Sequence, residues 1–170
     1  IFIPFSYWYF NRKIFGRLLL IVFFSVLINA WLKDFFQDPR PDPSLNIDPW
    51  LENGASFGFP SGHAQIAVVI WLYIAMNVKD RIVKIVSTIF LFGIPLSRIY
   101  LGVHDLSDVI GGLFIGALIL FAVNTINNKL DNEKLKLSSF NQFSLLIFIL
   151  LFLYFTWPSE KGAMVVSSVG

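Results

Sequence analysis

The chain has 170 residues, of which 56% are hydrophobic and only 14% charged, with a mean hydropathy of +0.69. Soluble domains carry about 25% charged residues, so this composition excludes an ordinary water-soluble globule and indicates one helical unit in a bilayer. A net charge of +2 gives no ground for a nucleic-acid partner, and the lack of cysteine excludes a disulfide, a thiolate nucleophile and a Cys-based metal site.

The first residues, Ile1 to Phe10, are apolar and aromatic but too short to span alone. They read as the end of a membrane helix, with Tyr7, Trp8 and Tyr9 at the water boundary, and the chain as a fragment whose natural start lies upstream. Leu18 to Trp31, with its flanks, is long enough to cross a bilayer and ends near Lys33. The connection from Gln37 to Phe59 holds Pro39, Pro41, Pro43 and Pro49, a density that excludes a continuous helix. A second crossing starts at Ala64 and closes near Val78. A third covers Ile85 to Leu96, with Pro95 as a possible kink, and Ser97 to His104 forms a turn. Leu106 to Ile126 is the next crossing, and Gly111, Gly112 and Gly116 on it read as helix-packing positions. Phe140 to Trp157 is the last. The expected fold is an all-α, polytopic transmembrane bundle of about five to six helices, one domain over 1–170 with an extra membrane helix at 140–157.

Nine of the thirteen Lys and Arg residues lie in the connections at 11–17, 79–84 and 127–139. Alternating crossings put these on one side, which the positive-inside rule makes cytoplasmic. The other side receives the 37–59 connection and the 97–104 turn. Lys33, Arg40 and Arg98 lie near that outer face, as do both histidines, His63 and His104. Charges near a membrane boundary usually have a partner or a purpose, and three cations on one face suit a polyanion. Ser61 stands at a helix N-cap position and Gly62 lets a ligand approach the main chain, so Pro60-Ser61-Gly62-His63 makes a candidate anion site. His104 and Asp108 are four apart, so on a helix they share a face, and the carboxylate can orient the imidazole for attack on phosphorus. Alone, the same pair reads first as a structural hydrogen bond at a helix start, and Lys33 equally as a snorkelling side chain at a helix end. Two histidines and Asp108 could in principle hold a divalent ion, but three neighbouring cations oppose one, and no metal is expected.

Lys33 with Arg40-Pro41 gives K-x6-RP, Pro60 to His63 gives PSGH, and Ser97-Arg98 with His104 and Asp108 gives SR-x5-H-x3-D. Together these resemble the three-part signature of the type 2 phosphatidic acid phosphatases, or lipid phosphate phosphatases, which vanadium haloperoxidases and glucose-6-phosphatase share. All specified positions match, over a motif core at 33–108. The resemblance implies that Lys33, Arg40, Ser61, Gly62 and Arg98 hold phosphate, that His104 is the nucleophile and Asp108 orients it, and that His63 protonates the leaving oxygen. It implies no cofactor. The expected protein is an integral membrane phosphatase of a bacterial inner membrane, its site facing outward, acting on a lipid phosphate or pyrophosphate. The outward site favours undecaprenyl pyrophosphate over phosphatidic acid, phosphatidylglycerol phosphate or lipid A. A lipid phosphotransferase with the same site, and a transporter with a charged pathway, are the competing readings.

Overall fold

The computed structural model describes residues 12–47, 56–132 and 155. Among these there are helices and no strand. Helix α1 is Arg12–Phe36. A 3-10 turn follows at Pro43–Leu45, then α2 at Gly62–Ala67, a π-helical turn at Val68–Leu72, α3 at Tyr73–Asn77, α4 at Arg81–Tyr100 and α5 at Leu106–Asn132. Among the described residues three stretches are long and apolar enough to cross a membrane: Ile14–Phe36, Arg81–Tyr100 and Leu106–Ile126. Gly62–Asn77 is a shorter apolar helix. The expected crossing at 140–157 and the aromatic end of Ile1 to Phe10 lie outside the described residues. By compactness the chain divides into Ile1–Phe121 and Ala122–Gly170, and every residue of the sequence motifs lies in the first unit.

The helices run further than the apolar runs alone suggested. Helix α1, expected to end near Lys33, runs on to Phe36, and its buried face changes character without breaking period. Phe15, Leu18, Ile21, Ser25 and Asn29 are buried at three- and four-residue spacing, while Leu20, Phe23 and Val26 face outward. The helix ends where Gln37 takes φ 51 and donates its N–H to the Lys33 carbonyl at 2.9 Å, a left-handed cap. Helix α4 also runs on, through Arg98 to Tyr100. Pro95 sits buried inside it, so the turn between crossings shrinks to residues 101–105.

The segment from α2 to α3 is the centre of the unit and packs against both α1 and α4. Trp71 stacks on Phe90 of α4 with centroids 4.6 Å apart. The π turn sets the phase of this helix. Val68 and Val69 are buried, and so are Tyr73 and Ile74, five residues further on. Winding at i→i+5 brings those pairs onto one face, where plain α winding would bring Leu72 and Tyr73. Helix α5 closes on α2 from a third direction through its glycines. A Cβ at Gly112 would lie 2.4 Å from the Ser61 carbonyl, and one at Gly116 2.7 Å from that of Gln65. The many outward Leu, Ile and Phe side chains, Phe92, Leu96, Phe114 and Phe121 among them, suit contact with lipid.

Candidate active site

The three motif blocks meet at one end of the unit, where α1 ends, α2 begins, α4 ends and α5 begins. Six hydrogen bonds tie this end together. The Lys33 ammonium donates to the carbonyls of Phe57, in a short contact, and Gly58, at 3.1 Å. Arg40 donates from Nε to the Ser56 carbonyl at 2.7 Å and from Nη2 to the Ser56 hydroxyl at 2.8 Å. Gly58 N–H donates to the Asp38 carbonyl at 2.8 Å, and Ser61 N–H to the Asp108 carbonyl at 2.9 Å. The two cations of the first block thus hold the segment that leads into Pro60, and the third block holds Ser61 itself.

His104 closes a turn, as the sequence reading placed it, so the pair does not share a helix face. It lies in the turn before α5, and Asp108 is in the first turn of that helix. The pair meets nonetheless: His104 Nδ1 lies 2.9 Å from Asp108 Oδ2, both buried. Asp108 Oδ2 also accepts from the N–H of Asp105 at 3.2 Å. With Asp105 just ahead of the helix and Asp108 third inside it, this is the N3-to-N-cap half of a capping box. One carboxylate therefore starts α5 and fixes the imidazole. An ionised carboxylate only accepts, so Nδ1 carries the proton and Nε2 is left with its lone pair. Burial holds the His104 pKa below its ordinary value; the hydrogen bond that the ring donates to Asp108 pulls the other way, and Arg40 and Lys33 add to the lowering.

Asp108 Oδ1 is buried and receives no N–H or hydroxyl hydrogen bond. Asp38 is beside it: burial first, then the charge of Asp108 and a hydrogen bond with its carboxyl, raise the Asp38 pKa. When protonated, Asp38 can supply the donor that Asp108 lacks. Ser61 Oγ is buried without a partner, although Ser61 is the N-cap residue of α2 and was expected to serve that end. Buried hydroxyls are rarely left unpaired, so this group is available to a ligand oxygen. His63, one residue inside α2, is exposed and within electrostatic reach of Arg98, Arg40 and Lys33. Arg98 is half-buried near the end of α4, with Nε 3.4 Å from Ser97 Oγ. All eight residues named from the sequence (Lys33, Arg40, Ser61, Gly62, His63, Arg98, His104 and Asp108) lie on the turns and helix ends of this one region.

The sequence reading missed Ser25, Asn29 and Gln65. Asn29 Nδ2 donates to the Pro60 carbonyl at 3.1 Å and to Gln65 Oε1 at 2.9 Å. Gln65 Nε2 donates to the carbonyl and hydroxyl of Ser25, both at 2.8 Å. A signal existed: Ser25, Asn29 and Lys33 are polar at successive four-residue steps in an otherwise apolar helix.

Comparison with known proteins gives the same family throughout. Phosphatidylglycerophosphatase B of Bacillus subtilis is 32% identical over 75% of this chain and 66% of its own length. Lipid phosphate phosphatase delta of Arabidopsis thaliana is 30% identical over 90% of this chain and 41% of its own, and human sphingosine-1-phosphate phosphatase 2 is 31% identical over 70% and 31%. The chain thus spans about two thirds or less of the length of these relatives. The crystal structure of a transmembrane PAP2-type phosphatidylglycerolphosphate phosphatase from Bacillus subtilis superposes with a TM-score of 0.59 at 30% identity, covering 74% of this chain and 65% of that one. The profile of the PAP2 superfamily matches residues 15–131, which take in the whole of the site, and the chain is an integral membrane protein that belongs to that family.

Proposed function

We propose that this chain is a phosphatase of membrane lipids that works through a phosphohistidine on His104. The observation that carries this reading is the double hold of Asp108. Its side chain fixes His104 Nδ1, and its backbone carbonyl fixes Ser61 N–H. The nucleophile and the phosphate-binding turn are thus referred to one residue.

The steps follow from the groups present. Lys33, Arg40, Arg98, the Ser61 hydroxyl and the Gly62 main chain take the phosphoryl oxygens, replacing by fixed charge what a metal would supply. His104 Nε2 attacks phosphorus. The P–N bond forms as the bond to the lipid oxygen breaks, and His63 gives that oxygen a proton. Neutral His63 then takes a proton from water as the water attacks phosphorus. The P–N bond breaks, and phosphate leaves. The relatives' names favour a lipid phosphomonoester, with undecaprenyl pyrophosphate as the second choice. The cations Arg17, Lys79, Arg81 and Lys84 at the far ends of the helices support an outward-facing site under the positive-inside rule.

The test is phosphate release from a panel of lipids (phosphatidylglycerol phosphate, phosphatidic acid, sphingosine-1-phosphate, lipid A and undecaprenyl pyrophosphate), with chelator present and no acceptor lipid. Release from at least one is expected. Release from none would remove the phosphatase reading, and activity that vanishes in chelator and returns with a divalent ion would remove the metal-free step.

A further inference from the structure

We infer that Asn29 and Gln65 are positioning residues, a buried amide pair that sets the phosphate-binding turn at Ser61–Gly62 from the side opposite Asp108. This rests on the reading of that turn as an anion site. The turn is held on its α5 side by the bond from Ser61 N–H to the Asp108 carbonyl. On its α1 side Asn29 reaches the main chain of the turn, through the Pro60 carbonyl.

Asn29 is itself held. Its Nδ2 also donates to Gln65 Oε1, and Gln65 Nε2 is committed to both oxygens of Ser25 one turn back along α1. Both Gln65 polar atoms are therefore used, and the residue is fully buried, as is Ser25, with Asn29 7% exposed. Gln65 N–H donates to the Ser61 carbonyl at 3.0 Å, so the glutamine hangs one helical turn below the residue whose hydroxyl is free. The fit also restricts position 62. A Cβ there would lie 2.9 Å from Asn29 Oδ1, so the amide and the bare glycine backbone occupy adjoining space.

Burying three polar side chains between apolar helices is costly unless each is paired, and leucines would fill the same space more cheaply. Packing alone does not call for this arrangement. It gives orientation: each amide has one geometry in which all its donors are met, which fixes the rotation of α2 about its axis relative to α1. Lys33 continues the stripe of Ser25 and Asn29 and grips Phe57 and Gly58. The outer half of α1 thus works as a rail for residues 57 to 65.

The experiment uses the full chain in detergent, with binding of orthovanadate by calorimetry as the primary readout and kcat and KM as the second. Asn29→Leu and Gln65→Met keep side-chain bulk and remove the amides; Ser25→Ala removes one of two oxygens and leaves the other. Expected losses in vanadate affinity are about ten-fold or more for Asn29→Leu, which breaks two bonds, about ten-fold for Gln65→Met, and no more than about two-fold for Ser25→Ala. The Asn29→Leu/Gln65→Met double variant is expected to lose no more than the worse single, because the pair acts as one unit. Variants that melt at lower temperature but keep wild-type vanadate affinity and kcat would overturn the inference, as would additive losses. If Asn29→Leu does not fold, Gln65→Met and Ser25→Ala carry the test by their ranking. A wild type that binds vanadate yet releases phosphate from no lipid refutes the phosphatase reading and leaves the positioning test standing. A wild type that binds no vanadate refutes both.

Discussion

The main-chain N–H of Ser61 donates to the carbonyl of Asp108 across 2.9 Å, joining residues 47 positions apart in sequence. Asp108 holds His104 by its side chain at the same time, so the two turns cannot drift apart without breaking a buried bond. Rates should respond to either partner as to the other.

Replacing His104 by Ala is expected to remove turnover, by about three orders of magnitude or more, while thermal melting stays near wild type. Asp108→Asn, which disturbs the tautomer that frees Nε2, should cost roughly a hundred-fold to ten-thousand-fold. His63→Ala should slow both proton transfers. Rapid acid-free quenching with labelled lipid should then show label on the wild-type protein and none on His104→Ala. Label persisting on His104→Ala would assign the nucleophile elsewhere.

Acid should silence the site late. His104 has a lowered pKa, so its neutral, nucleophilic form persists below the ordinary imidazole value of about 6.5. The stability that this shift contributes is complete above the ordinary value and is lost as pH falls through the lowered one. Removing the Asp108 charge takes away influences that raise it, so Asp108→Asn should move the acid limb of kcat/KM further down. The residues facing the ring electrostatically are Asp108, Arg40 and Lys33. A wild-type acid limb well above pH 6.5 would contradict the assignment.

Glycine 112 should tolerate nothing larger. A Cβ there meets the Ser61 carbonyl at 2.4 Å, and main chain cannot yield as a flexible side chain would. Gly112→Ala is expected to destabilise by about 1–3 kcal/mol and to lower kcat more than that loss of folded protein explains. Gly93→Ala is the control: nothing lies within 4 Å of its Cβ position, so melting should be unchanged or raised. Equal effects at the two sites, measured by melting in detergent, would mean that α5 does not seat on the turn as described.

Arg40→Lys keeps the charge and loses the fork that spans the carbonyl and hydroxyl of Ser56. It should raise KM about ten-fold with less change in kcat, since the loop leading to Pro60 is loosened before substrate arrives. An unchanged KM would place Arg40 outside the loop's support.

The helices were legible because apolar runs between charged connections leave little choice, and the residues gathered at the candidate site because their spacing is unusual in so apolar a chain. What stayed hidden depends on partners distant in sequence. Helix α1 runs on to Phe36, and its polar stripe has Gln65 and the 57–60 main chain to bond. Gly111, Gly112 and Gly116 read as generic packing positions, whereas the first meets the Phe59 ring and the others the main chain of α2 and its cap. His104 was read at the end of the 97–104 turn and Asp108 within the next crossing, and the structure pairs them across that junction. The side chain of Ser61 was read through its capping preference, yet it caps nothing.

The wide turn at Val68–Leu72 makes segment length a heritable constraint in its own right. Deleting one residue there would let the helix close to plain α winding with both flanks still in phase, whereas inserting one would turn everything above it by about 100° relative to everything below, the step of an α-helix. His63 and Gln65 would then swing away together while every side chain in the motif stayed intact. Exchanges among Val, Ile and Leu along this stretch should matter little, but a single-codon insertion should be as damaging as loss of His104.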